Sequence, residues 1–89
     1  MTTLIRTNGS QEIIAAPTMD EAKMIVGGPL SVICLDNEKI IICNEKAVYQ
    51  ELPQNITAGK ILSIIKNKPL AVLGDIILTD SSFLHFSNF

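Results

Sequence analysis

A chain of 89 residues has room for one compact unit and no second module. Hydrophobic residues make up 47% against 18% charged and mean hydropathy is +0.35, which excludes the weakly hydrophobic, highly charged composition of disordered chains. Nine acidic against seven basic residues leave a net charge of −2, too little positive field to coat nucleic acid and too little negative charge to mimic it.

The first pattern along the chain is Asn8-Gly9, suited to the positive φ angles of a tight turn between strands at residues 4–7 and 12–16. Next, Thr18 stands three residues before Glu21, the reciprocal pair of a helix capping box, and predicts a helix over residues 18–26. Gly27-Gly28-Pro29 stops it, with a left-handed glycine followed by a residue that cannot continue a helix. The same glycines break the longest uncharged run, residues 24–35, which is also shorter than the roughly 18 residues of a membrane span.

Two β-rich runs, residues 30–35 and 39–44, flank the turn cluster Asp36-Asn37-Glu38 and predict a second hairpin. Residues 44–54 read as a surface loop with a short extended piece at 47–49. Asn55 then caps an expected second helix, whose apolar stripe is Ala58, Ile61, Leu62 and Ile65, with a strand as the alternative that Gly59 and the β-branched residues leave open. A last strand is expected over residues 70–79, with Gly74-Asp75 marking a bulge or a close backbone approach. The expected fold is α+β: one domain over residues 1–89, a mostly antiparallel sheet of about five strands, and two helices packed on one face.

Runs such as Ile40-Ile41-Ile42 put apolar side chains on both faces of a strand, and a chain this short buries only roughly 60 to 65% of its unfolded surface. A homo-oligomer follows as the expectation. Cys34 and Cys43 are too few for a disulfide scaffold, and are expected to be reduced, buried and diagonal to each other across the second hairpin. With His85 as the only histidine, neither a zinc site nor an activated thiol is indicated, and no cofactor is expected. The carboxylate pairs Asp36 with Glu38 and Asp75 with Asp80 read as turn and strand-end chemistry. Gly27-Gly28 follows a helix, whereas phosphate-binding loops precede one. The polar start of the second helix is the one candidate ligand site: Asn55, Thr57 and Lys60 could hold a small polar or anionic group near free amide donors. Phe83, Phe86 and Phe89 load the C-terminal tail, which is expected to dock near Ile41 and Val72 with His85 facing solvent.

The order of these features, a helix ending Val26-Gly27-Gly28, a hairpin, Leu52-Pro53-Gln54-Asn55, a helix and a closing Leu73-Gly74-Asp75-Ile76-Ile77, resembles a family of small uncharacterised phage and mobile-element domains over about residues 21–79. Family members often carry an aromatic and then an acidic residue near the double glycine, where this chain has Pro29-Leu30-Ser31. The resemblance implies a viral or phage accessory protein acting in the cytoplasm of a host cell, with no catalytic residues to carry over. The leading expectation is a non-enzymatic, self-associating module that binds a host or viral macromolecule. The alternative is an oligomeric binder that sequesters a host signalling nucleotide at Asn55, Thr57 and Lys60.

Overall fold

Residues 1–36, 38–67 and 71–83 are described by the structure, a computed structural model. β1 (Thr2–Ile5) and β2 (Gln11–Ile14) pair antiparallel as the expected hairpin, joined by the five residues 6–10 that include Asn8-Gly9. Arg6 N donates to the Ser10 carbonyl at 3.0 Å, and only Gly9 takes a positive φ, at 91°. The Asn8 carboxamide instead accepts from Ser10 N at 2.9 Å, a local bond that asparagine forms readily in turns. The strands accordingly end before residues 7 and 16.

α1 (Met19–Val26) begins as expected. The Thr18 hydroxyl accepts from Glu21 N at 3.2 Å and the Glu21 carboxylate accepts from Thr18 N at 2.9 Å, satisfying two otherwise unpaired donors. Gly27 ends it at φ 84°, where an L side chain would be strained, and both Gly27 N and Gly28 N donate to the Lys23 carbonyl. The Cβ that Gly28 lacks would lie 2.8 Å from Asn44 Oδ1, so the second glycine is required by close approach.

β3 (Leu30–Cys34) and β4 (Lys39–Asn44) form the second hairpin, with Asp36 accepting from Glu38 N and Lys39 N at 2.8 Å each. Asn37 lies outside the described residues. Residues 45–51 form successive turns and contain no extended piece, and Ala47 within them is buried. α2 (Ile56–Lys66) follows with Asn55 as its N-cap, and Asn67 closes it in the left-handed region at φ 54°. The last strand, β5 (Ile76–Asp80), is shorter than the expected 70–79, because the backbone turns at Gly74 (φ 80°). Ahead of that turn, Leu73 pairs with Gln54 in an isolated bridge, Gly74 N donates to the Pro53 carbonyl and Asn55 N to the Val72 carbonyl. Gly74 does lie at a close approach: a Cβ there would meet Leu52 Cδ1 at 2.8 Å.

The five strands make one antiparallel sheet in the order β2-β1-β5-β4-β3, so the α+β architecture is as expected. The placement of the helices is not. Leu4, Ile40, Ile42 and Ile77 share one face with Ala22 and Val26 of α1, whereas Ile5, Ile41 and Ile76 share the other with Ala58 and Leu62 of α2. Successive side chains on a strand point to opposite faces, so an uninterrupted Ile40-Ile41-Ile42 needs cover on both. One helix on each face supplies it, and each fully buried isoleucine or leucine contributes about 1.5–3 kcal/mol. Phe83 is buried on the α1 face, opposite the surface of Ile41 and Val72 where the tail was expected. His85, Phe86 and Phe89 lie outside the described residues. No helix among the described residues is long and apolar enough to cross a membrane.

Candidate functional site

The start of α2 is built around Asn55, which is fully buried. Its side-chain Nδ2 donates to the carbonyls of Ile5 and Gly74 at 3.0 and 2.9 Å, and its Oδ1 accepts from Ala58 N at 3.0 Å. The carboxamide is therefore consumed in joining β1, the Gly74 turn and the helix N-terminus, and offers nothing to a ligand. Thr57 is half-buried, with its hydroxyl 3.8 Å from where a Cβ on Gly9 would sit. Lys60 is exposed and lines a surface groove on the outer side of α2, to which neither Asn55 nor Thr57 contributes. The three expected ligand residues thus do not converge, because positions 55, 57 and 60 point in different directions around a helix start.

The groove beside Lys60 has a volume of about 420 Å³ and is walled by Gln54, Ile56, Gly59, Ser63 and Ile64. Ile56 is 59% exposed and Ile64 80% exposed, an unusual load of branched aliphatic surface on two turns of one helix. Ile65, expected in the core stripe, is also 45% exposed, whereas Ala58 and Leu62 are buried. The signal was present in the sequence as isoleucines eight residues apart, on the side of α2 away from Ala58 and Leu62. Among the described residues of this groove wall Lys60 is the cation, placed between the two isoleucines.

A larger groove of about 560 Å³ runs between the α1 N-terminus and the β1–β5 pair, walled by Ile14, Pro17, Met19 and Phe83. At its edge the hydroxyls of Thr2 and Thr79 share a buried 2.7 Å hydrogen bond. That bond satisfies two polar groups inside the sheet and leaves the groove mostly apolar.

The remaining candidates are structural. Asp75 accepts from Thr7 N at 2.9 Å and lies 3.8 Å from Arg6 Nη1, pinning the β1–β2 loop to the start of β5. Hydrogen bonds from the Glu38 and Lys39 amides hold the Asp36 carboxyl below its ordinary pKa. Cys34 and Cys43 are free thiols on opposite faces of the sheet, so they are not diagonal neighbours, and Cys34 is exposed where burial was expected. Burial raises the Cys43 thiol pKa, against a weak hydrogen bond to the Ser31 carbonyl at 3.6 Å. Among the described residues no three His, Cys, Asp or Glu side chains group as a metal site. Unforeseen in the sequence is Asn44, buried in β4. It donates to the Val26 carbonyl and to Gln50 Oε1 while accepting from Lys46 N, which ties the end of α1 to residues 45–51.

Compared with known proteins, the chain matches no family model, and no curated protein or solved structure shows significant similarity to it.

Proposed function

We propose that the protein is a non-enzymatic accessory module of a virus or phage that self-associates and binds a host or viral macromolecule in the host cytoplasm. The observation that carries the binding part is the outer face of α2, where Ile56 and Ile64 stand exposed on either side of Lys60 and of the shallow floor at Gly59 and Ser63. Branched aliphatic side chains around the Lys60 ammonium suit a protein surface with an apolar patch and a carboxylate. The viral setting rests on the resemblance of residues 21–79 to phage and mobile-element domains.

Native mass spectrometry of the protein isolated from infected cells, beside Ile56→Glu and Ile64→Glu variants, tests the reading. A protein retained by the unaltered chain and lost from both variants supports it. A retained nucleotide and no protein favours the sequestering alternative. Equal retention by all three chains removes the α2 face from the interface.

A further inference from the structure

β3 is an outer strand: among the described residues, β4 lies on one side of it and no strand on the other. Its hydrogen-bonding phase follows from two flanking bonds: Glu45 N donates to the Pro29 carbonyl at 2.8 Å, and Leu35 N donates to the Lys39 carbonyl at 2.9 Å. In an antiparallel pair, alternate residues of a strand bond to the partner while those between turn their backbone groups away. With Leu30 opposite Asn44 and Cys34 opposite Ile40, residues 29, 31, 33 and 35 therefore face β4. The N–H and C=O groups of Leu30, Val32 and Cys34 face the free edge.

Such edges are ordinarily guarded by charge, proline, a bulge or a covering segment. β3 has no charged residue and no proline within it, and Pro29 just ahead of it directs its carbonyl towards β4. The opposite edge strand, β2, carries exposed Gln11 and Glu12. The outward groups of β3 are evenly spaced about Val32, so the edge is complementary to itself under a two-fold rotation. Leu30 then faces the partner's Cys34, Val32 faces the partner's Val32, and every outward N–H and C=O of those residues finds a partner. Asp36 falls opposite the partner's Gly28, where no side chain stands in the way.

We propose that the free edge of β3 pairs antiparallel with the same edge of a second copy about a two-fold axis at Val32, joining two five-stranded sheets into one. The occupant is a second copy because an uncharged, centrally symmetric edge makes an isologous contact that closes after one addition. The pairing also shelters the half-buried Val32 and Ile33 along the seam. It rests on the self-association in the reading above, and locates it away from the α2 face.

Val32→Pro is the discriminating variant. The Val32 N–H makes no bond within the protomer's own sheet, so proline there removes only an outward donor, whereas Ile33→Pro removes a ladder bond to β4. Sedimentation at micromolar concentration should show a dimer for the unaltered chain and a monomer with an unchanged far-ultraviolet spectrum for Val32→Pro. Independently, Val32→Cys in a Cys34→Ser background should give a covalent dimer on mild oxidation, because the two thiols meet across the axis. This second variant decides the matter should the proline chain fail to fold. A Val32→Pro chain that stays dimeric, or Val32→Cys that forms no cross-link while the chain is dimeric, overturns the β3 seam and leaves self-association standing on another surface. An unaltered chain that is monomeric overturns both.

Discussion

The side-chain amide of Asn55 donates to the carbonyl of Ile5 at 3.0 Å, joining the first turn of α2 to a strand end fifty residues earlier in the chain. The same amide reaches Gly74 on the far side of α2, so one buried side chain fixes three segments of low mutual sequence proximity. Asn55→Ala should lower stability by about 2 kcal/mol or more, since it uncaps a buried helix amide and withdraws a donor from two carbonyls. Asn55→Asp keeps the cap but sets a carboxylate against two carbonyl oxygens, and should be no better. Chemical denaturation of both variants checks this, and a midpoint within experimental error of the parent for Asn55→Ala would contradict the junction.

The two glycines after α1 should fail differently. Gly27→Val forces a β-branched residue to φ 84° and should cost more than about 1 kcal/mol, with Gly27→Ala costing less. Gly28→Ala has no such backbone strain and instead collides with Asn44, whose side chain already makes three hydrogen bonds. Shortening Asn44 to alanine should therefore make Gly28→Ala nearly neutral while leaving the cost of Gly27→Val unchanged. A double-mutant cycle on thermal melts separates the two cases.

Glu51 sits at φ 52° with neither the missing Cβ of glycine nor the local bonding of asparagine to ease it. Glu51→Gly should raise stability by up to about 1 kcal/mol, the relieved strain exceeding the added freedom of the unfolded chain. A lower melting temperature for the variant would show that the Glu51 side chain contributes more than its backbone costs.

The two thiols should titrate with reagent in two phases. Cys34 is exposed and reacts first, whereas Cys43 is half-buried, its pKa raised by burial, and holds little thiolate at neutral pH. Cys34→Ser should abolish the fast phase alone, and denaturant should merge the two. Replacing both cysteines should leave binding at the α2 groove intact, because neither thiol lines it.

Asp36 makes stability depend on pH at the acid end. Its folded pKa lies below the ordinary 3.8 because the Glu38 and Lys39 amides donate to the charged form, so the unfolded chain takes up the proton first as pH falls. The carboxylate's contribution is present above 3.8 and is lost as pH drops through the lower folded value. The stability gap between the parent and Asp36→Ala should hold at neutral pH and narrow below that point. A constant gap down to strongly acid pH would mean the carboxylate's charge does nothing for the turn.

Local signals were legible wherever the chain's neighbours in sequence are also its neighbours in space. Thr18, Glu21 and Gly27 define α1 through bonds that span three or four residues, and the second hairpin turns on Asp36 bonding to amides two and three positions ahead. The two hairpin pairings, β1 with β2 and β3 with β4, follow from the same short-range logic. Only the tertiary structure decided which face each helix covers, since Ile40-Ile41-Ile42 demands cover on both sides without saying what provides it. It also decided that Asn55 is a buried junction instead of a ligand contact. An asparagine at a helix start has the same local pattern in both roles, and the carbonyls of Ile5 and Gly74 that settle the matter arrive from remote parts of the chain. The free edge of β3 belongs to this second class: its alternation is written in the sequence, but which strand lies outermost is a property of the assembled sheet.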